Sequence, residues 1–244
     1  MKRTILSIAV FLTCLFFLSS CFLFRGIYPS NAEETSLSEM NSTSEETTAE
    51  VPVEVFSNIS AVGVITENGY TNEWLGVSFS LDEGWIFATN EEISQLSPLA
   101  ENVIIANGAG GDAAFGEELK EKPSFVDVYG YNEIAFGEFN VVFNYLLPEY
   151  GGTLSQPEST WAASFEETLR GAMGDYVISC AQGRHKLGDN EFATVTGEFN
   201  MGEYRFCSRQ YFLEMNEKYL VSIMIKGDSI ERVDEIAARF ESIR

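Results

Sequence analysis

Four strand-like runs follow one another closely in the last third of this 244-residue chain. They cover residues 176–187, 191–200, 204–215 and 218–226. The links between them are short, as at Met201-Gly202 and Asn216-Glu217, and links of this length are typical of β-hairpins. The runs therefore predict an antiparallel meander, in which each strand pairs with the strand before it.

Helices are predicted before and after this meander. In the first helix, apolar residues recur every four positions over about four turns. They are Trp161, Phe165, Leu169 and Met173. Asp228 is the expected N-cap of the second helix, which should continue to Ile243. Its apolar stripe consists of Ile230, Val233, Ile236, Ala237, Phe240 and Ile243, and this stripe must lie on the sheet.

The earlier part of the domain adds a hairpin and a short helix. The runs 125–131 and 139–147 are rich in aromatic residues and valine and flank a glycine-containing turn, which predicts a hairpin. Thr89-Asn90-Glu91-Glu92 has the form of a capping box, so a short helix should continue to about Leu96. We therefore predict an α+β fold for residues 66–244: an antiparallel β-sheet with helices packed on its faces.

The N-terminus has the form of an export signal. Lys2 and Arg3 precede an apolar run, which ends at Leu18-Ser19-Ser20-Cys21. This ending resembles the bacterial lipoprotein box, in which an aliphatic and two small residues precede the cysteine that receives the lipid. We expect residues 1–20 to be a signal peptide and Cys21 to anchor the protein on the extracytoplasmic face of the cell membrane. An uncleaved membrane span is the alternative.

Residues 21–65 are expected to form the lipidated cysteine and a flexible, acidic linker. Ser, Thr and Glu dominate this segment, which cannot bury enough apolar area to offset the entropy of ordering. The whole chain has 37 acidic and 15 basic residues, a net charge of −22. Because phosphates are bound by Lys and Arg, this charge argues against a nucleic-acid-binding protein.

Two of the four cysteines remain for the folded domain. Cys14 belongs to the signal and Cys21 to the anchor, which leaves Cys180 and Cys207. An exported pair could form a disulfide. However, the expected meander places a strand between the two, and next-nearest strands are about 9–10 Å apart, beyond the roughly 7 Å that a disulfide spans. The sequence leaves open whether they form a bridge or remain free thiols.

No motif identifies a reaction, and we predict no catalytic residue, no cofactor and no metal ligand. Asn107-Gly108-Ala109-Gly110-Gly111, with Asp127 nineteen residues after Gly108, is similar to a dinucleotide-binding fingerprint. The hairpins that follow do not supply the parallel strands that such a site needs. His185 is the only histidine and lacks the paired Cys or His partners of a zinc site.

The densest basic cluster after the signal is Arg184-His185-Lys186, near the end of the first strand of the meander. Such a cluster could contact an anionic partner or a cell-wall polymer. A solvated hairpin end is the other interpretation of the same residues.

Several packing motifs resemble the PsbP-like α/β sandwich domains. They are Tyr70-x-Asn72, Gly76-Val77-Ser78-Phe79, Gly84-Trp85 and the closing Phe240-x-x-Ile243. With its lipobox, acidic linker and Asp127-Val128-Tyr129 strand, the whole chain resembles PsbP-like lipoproteins of Gram-positive anaerobic bacteria. One departure is Asp82, where such domains commonly carry proline. The resemblance implies an α/β sandwich and supplies no catalytic residue, because the known members are mostly assembly factors and binding modules.

Two hypotheses of function follow from these observations. The first is a membrane-anchored extracytoplasmic lipoprotein that acts as a non-catalytic binding or accessory module for an unknown protein or envelope ligand. The second is a cell-surface hydrolase that uses carboxylates. A pocket with two carboxyls of raised pKa would favour the hydrolase, and an exposed aromatic patch would favour the module. The sequence does not indicate an oligomeric state.

Overall fold

The computed structural model describes residues 61–82, 84–96, 103–109, 122, 124–146, 157–215 and 219–243. The predicted signal peptide, the lipobox Leu18-Ser19-Ser20, Cys21 and nearly all of the linker lie outside the described residues. Within the described residues, no helix has the length and apolar character needed to cross a membrane.

The secondary structure is dominated by strands. The first part of the domain contains β1 (Val64–Thr66), β2 (Gly69–Asn72), β3 (Val77–Ser80), β4 (Trp85–Phe87), α1 (Asn90–Leu96), β5 (Ile104–Ile105), β6 (Ser124–Asn132) and β7 (Gly137–Tyr145). The second part contains α2 (Glu158–Met173), a 3₁₀ turn (Gly174–Tyr176), β8 (Val177–Leu187), β9 (Asn190–Met201), β10 (Tyr204–Met215), β11 (Tyr219–Gly227), α3 (Ile230–Ala237) and β12 (Phe240–Ser242).

The strands form two sheets rather than the single sheet expected from the sequence. The large sheet has the order β4-β6-β7-β11-β10-β9-β8, with β5 parallel to β6. The small sheet has the order β1-β2-β3-β12. The predicted meander is confirmed, because β8, β9, β10 and β11 are antiparallel neighbours in chain order. The predicted hairpin is also confirmed as β6 and β7.

A second sheet is needed because the large sheet is apolar on both faces. On one face, the small sheet and α3 cover a core in which Phe79 lies 4.3 Å from Phe139 and 5.1 Å from Phe240, measured between ring centroids. On the other face, α2 buries the predicted stripe, and Phe165 lies 5.5 Å from Phe212. We call these the small-sheet face and the α2 face.

The predicted terminal helix is wrong at both ends. Its N-cap is Ser229 rather than Asp228, because the Ser229 hydroxyl accepts a hydrogen bond from the backbone N–H of Arg232 at 3.2 Å. The helix ends at Ala237, and Phe240 lies in β12, where it pairs with Phe79 of β3. A three-residue strand can bury the Phe240 ring in the core just as a further helical turn would. The spacing of apolar residues therefore could not distinguish a strand from a helix at this position.

The capping box of α1 is confirmed. The Thr89 hydroxyl accepts from the backbone N–H of Glu92 at 3.2 Å, and the Glu92 carboxylate accepts from the backbone N–H of Thr89 at 2.8 Å. These hydrogen bonds hold the pKa of Glu92 below its usual range. The reciprocal pair satisfies two N–H groups at the start of the helix.

Asp82, the departure from the family pattern, has a partner in the structure. Its carboxylate accepts a hydrogen bond from Arg239, and the Arg239 guanidinium lies 5.1 Å from the ring centroid of Phe79 and 5.6 Å from that of Trp85. The planar group of Arg239 covers the aromatic core where the chain turns from α3 into β12.

Candidate interaction surface

One end of the large sheet carries most of the exposed large apolar side chains of the described residues. The strand register places the end of β6, the start of β7, the start of β10 and the start of β8 at this same end. The exposed residues are Ile134 (70%), Phe136 (40%), Tyr176 (50%), Ile178 (47%) and Tyr204 (37%). We call these five residues the apolar end.

Exposed acids stand beside the apolar residues. Glu133 precedes Ile134, Asp175 precedes Tyr176, and Glu203 precedes Tyr204, and all three acids are exposed. The apolar end therefore has an acidic rim, which we define as Glu133, Asp175 and Glu203. Apolar patches with polar rims are characteristic of surfaces that bind other macromolecules.

The turn between β6 and β7 has a specific shape. The side-chain oxygen of Asn132 accepts hydrogen bonds from the backbone N–H groups of Ile134 at 2.9 Å and Ala135 at 2.8 Å. Gly84 lies against this turn with a φ of +82°, and a Cβ there would come within 2.9 Å of the Ile134 side chain. Asn132 and Gly84 thus hold Ile134 outward, as an Asx-type turn does.

A buried ion pair supports the Phe136 ring. Lys226 is fully buried on the α2 face, and its Nζ lies 2.5 Å from the carboxylate of Glu138. The Tyr129 hydroxyl donates to the other Glu138 oxygen at 2.5 Å. The rings of Phe136 and Phe206 lie 5.3 and 5.1 Å from Lys226 Nζ. This cation–π contact holds the Phe136 ring in a defined orientation at the protein surface.

The predicted basic cluster is split between two faces. Arg184 and Lys186 point to the α2 face and His185 to the small-sheet face, because successive side chains of a strand alternate. Arg184 Nε donates to Glu191 at 2.8 Å, and its Nη2 lies 3.6 Å from Glu158. The structure therefore does not bring the three residues together as one basic surface.

His185 belongs to a different cluster, which sequence reasoning missed. Its Nδ1 lies 2.8 Å from the Thr194 hydroxyl, and its ring centroid lies 6.4 Å from that of Tyr211. Burial, and then the nearby charge of Arg209, lower the pKa of His185. His185 is half-buried, and the flanking Arg184 and Lys186 are exposed.

Arg209 connects the large sheet to α3. It is 5% exposed, its Nε donates to the Thr196 hydroxyl at 2.9 Å, and its Nη1 donates to the Asp234 carboxylate at 2.6 Å. Its charge is satisfied inside the protein. Arg209 and Asp234 are 25 positions apart in the chain, so no local pattern could have indicated the pair.

Cys180 and Cys207 are free thiols. Cys180 pairs with Gly197 and Cys207 with Glu198, which are consecutive residues of β9. Consecutive residues of a strand point to opposite faces, so one thiol lies on the α2 face and the other on the small-sheet face. A strand and the thickness of the sheet separate them. Burial raises the pKa of both thiols.

Asp127 is a buried hub rather than a ribose ligand. It lies at a bulge of β6, and its carboxylate accepts from the Tyr70 hydroxyl at 2.6 Å, the Asn72 side chain at 2.8 Å and the backbone N–H of Gly63 at 2.9 Å. Burial raises its pKa to about 6. Gly108 donates its backbone N–H to the Asp127 carbonyl at 2.8 Å, so Gly108 is held against the same strand.

Tyr70 and Asn72 carry the first motif of the family resemblance, and their shared partner explains why they occur together. Both are buried residues of β2, and both donate to Asp127. The motif is therefore a structural one. Among the described residues there is no group of three or more His, Cys, Asp or Glu side chains that could bind a metal ion.

Comparisons with known proteins give a likeness to solved structures only. No family model matches the chain, and no curated protein matches it. Among solved structures, the chain is similar to the solution structure of cyanobacterial PsbP (CyanoP) from Synechocystis sp. PCC 6803. The identity is 16%, the TM-score is 0.36, and the match covers 76% of this chain and 97% of that chain. With a TM-score of 0.36, the likeness carries no argument about this chain.

Proposed function

We propose that the protein is a lipid-anchored extracytoplasmic binding module that uses its apolar end to hold a protein partner. The partner surface would have an apolar centre and a basic rim, complementary to the five apolar residues and to Glu133, Asp175 and Glu203. As part of this proposal, we infer from the sequence motifs that the protein is one of the PsbP-like lipoproteins of Gram-positive anaerobic bacteria. The observation that carries the function is the clustering of exposed apolar side chains at one end of the sheet.

The position of the chain entry supports this use of the apolar end. Gly63, near the start of the described domain, is hydrogen-bonded to Asp127. Asp127 precedes Asn132, the end of β6, by five residues, which corresponds to roughly 16 Å along a strand. Gly63 itself therefore lies away from the apolar end.

The acidic rim favours a protein partner over the membrane surface. Membranes with anionic lipids repel a surface that carries carboxylates around its apolar residues. A basic protein surface is attracted to the same carboxylates, which raises its association rate. The chain is acidic overall, with a net charge of −22, so this attraction extends beyond the rim.

Among the described residues, no observation favours the hydrolase hypothesis. Asp127 has a raised pKa, as a catalytic acid often does, but its side chain is completely buried. Its oxygens accept hydrogen bonds from Tyr70, Asn72 and Gly63. A carboxylate with these internal partners and no exposed surface cannot reach a substrate.

Site-specific crosslinking tests the binding surface. A photoreactive phenylalanine analogue at Tyr204 is expected to yield a discrete crosslinked product when the full-length protein is irradiated in intact cells. The same analogue at Glu73, an exposed turn residue, is the matched control. Equal product from both positions, or from neither, would contradict the proposal.

Charge reversal tests the acidic rim. Changing Glu133, Asp175 and Glu203 together to Lys should reduce the Tyr204 crosslink at least fivefold, because rim charges set the association rate. The control triple changes Glu67, Glu73 and Glu91, which are exposed acids elsewhere on the domain, to Lys. Both triples alter the net charge by the same amount. A crosslink that both triples reduce equally would show a dependence on net charge alone.

The anchor has its own test. Cells fed an alkyne-labelled fatty acid should label the wild-type protein, and Cys21→Ala should abolish the label and release the protein from the membrane fraction. Labelling that survives Cys21→Ala would reject the anchor and leave the binding surface unaffected.

A further inference from the structure

The last strand of the large sheet, β8, is an open edge. It is the outermost strand in the order, and among the described strands only β9 pairs with it. It has 11 residues, whereas the edge strands β4, β1 and β12 have 3 each. Ala181 and Gly183 are exposed, and residues with so little side chain leave the backbone itself accessible.

The middle of β8 lacks the features that normally protect an edge. Native edges are blocked by proline, by charge or by a bulge. In β8 the bulge lies between Val177 and Ser179, and the charges lie at Arg184 and Lys186. The stretch between them, Ser179-Cys180-Ala181-Gln182-Gly183, contains no proline and no charge.

One carbonyl of this stretch already takes a donor from outside the sheet. The Arg170 guanidinium of α2 donates to the backbone carbonyl of Cys180 at 2.7 Å. Edge strands recruit side-chain donors of this kind where no neighbouring strand supplies an N–H. A strand that pairs along this edge would have to replace the Arg170 donor at the Cys180 carbonyl.

We propose that β8 pairs antiparallel with β8 of a second copy of this chain, about a two-fold axis through Gln182. Gln182 is the central residue of β8, so at the centre of this register Gly183 faces Ala181 of the partner subunit. Arg184 then faces Cys180 of the partner subunit, on the shared α2 face. No two like charges stand opposite each other, which is the condition for a stable cross-strand pairing.

Charge also favours this approach of two acidic molecules. Residues 176–188 contain no acid and three basic or titratable positions, Arg184, His185 and Lys186. Glu166 of α2 accepts a hydrogen bond from the Gln182 side chain at 2.8 Å, so a carboxylate lies beside the proposed axis. The partner subunit's Arg184 would approach this carboxylate across the interface, which gives the two copies complementary charges.

Cysteine crosslinking tests the register. The full-length protein carries Gln182→Cys with Cys180→Ser and Cys207→Ser, and a mild oxidant is applied to intact cells. We expect a disulfide-linked species of twice the mass, because the two introduced thiols would face each other on the axis. Gln95→Cys in the same background is the matched control. Gln95 is exposed on α1, which packs against β6 near the other edge of the large sheet. Equal yields from both variants would overturn the proposal.

Charge substitution distinguishes a second copy from any other occupant. Gln182→Lys and Gln182→Glu should each raise the dimer dissociation constant about fivefold, because each places two like charges on the axis. Mixing the two variants should restore association as a heterodimer. Sedimentation and native mass spectrometry report the dimer, and thermal unfolding checks that each variant folds.

Other results would reject self-pairing. If only one sign of charge weakens association, the edge binds a different partner whose surface carries that same sign. If the wild-type protein is monomeric while the backbone amides of β8 resist hydrogen exchange, another segment or an extended peptide covers the edge. Tyr204 lies outside β8, so its crosslink is expected to survive all Gln182 variants, although Ile178 belongs both to β8 and to the apolar end.

Discussion

The hydroxyl of Tyr70 donates a 2.6 Å hydrogen bond to the carboxylate of Asp127, and this bond joins the small sheet to the large sheet. Both side chains are buried, at 1% and 0% exposure. The contact therefore lies inside the interface between the sheets, where water cannot replace a missing partner.

Tyr70→Phe should destabilise the domain by about 1–3 kcal/mol, because it leaves a buried carboxylate with one donor fewer. Urea denaturation measures the change in the free energy of unfolding. Tyr204→Phe removes the same hydroxyl from an exposed residue and should change stability by less than about 0.5 kcal/mol. Similar values for the two variants would show that the Tyr70 bond contributes nothing specific.

Asp127 should make the domain less stable as the pH rises from about 4 to about 6. Its pKa is about 6 in the folded protein and 3.8 in the unfolded reference, so the folded state binds the proton more tightly. The stabilisation by protonation is complete below the lower value and is lost as the pH passes the higher one. The loss is about 3 kcal/mol. Asp127→Asn should remove this contribution, and an unchanged slope of unfolding free energy against pH between the two values would contradict the assignment.

Lys226→Met should destabilise the domain by about 3–5 kcal/mol, because Glu138 would remain as a buried, unpaired charge. The double variant Lys226→Met with Glu138→Gln should recover much of this loss, since the amide oxygen can still accept from Tyr129. Chemical denaturation of the four proteins forms a double-mutant cycle. Additive effects would mean that the 2.5 Å contact between Lys226 and Glu138 is not energetically coupled.

Ser229→Ala should cost about 1 kcal/mol, the usual cost of losing an N-cap. Asp228→Ala is the control, because Asp228 precedes the cap and is exposed, and its effect should be below about 0.5 kcal/mol. Thermal unfolding compares the two. A larger loss of stability in Asp228→Ala than in Ser229→Ala would indicate that Asp228 is the N-cap, as the sequence alone suggested.

A reducing agent should leave the free energy of unfolding unchanged, because Cys180 and Cys207 are free. Both should react with an alkylating agent slowly at neutral pH, since burial raises their pKa and lowers the thiolate fraction. Cys180 should react faster because it is half-buried and Cys207 is buried. Mass spectrometry counts the modified thiols with time, and a two-dalton deficit in the unreduced protein would demonstrate a bridge.

The sequence predicted the elements that are long enough to contain several periods of their hydrophobic pattern. The meander, the hairpin and α2 are long enough for alternation or a four-residue repeat to be read without tertiary information. The small sheet was missed because strands such as β1 and β12 have 3 residues each, too few to show a period. Phe240 fits both a helical stripe and a strand, and only its pairing with Phe79 decides between them.

The polar contacts could not be predicted for a related reason. Asp127 bonds to residues 55 to 64 positions away, and Lys226 lies 88 positions from Glu138. Such pairs are created by strand order rather than by local sequence. The exposed acids next to Ile134, Tyr176 and Tyr204 were visible as single residues, but their common location at one end of the sheet depends on the register of six strands.

The pairing of β12 with β3 has a consequence for the timing of folding. Phe240 and Phe79 are 161 positions apart, so the small sheet cannot close until nearly all of the chain has been synthesised. Contacts of such long range slow folding, because the loop must close before the contact is gained. Removing residues 240–244 should therefore leave a slow-folding, protease-sensitive intermediate in which the meander has formed and the Phe79–Phe139 core remains open.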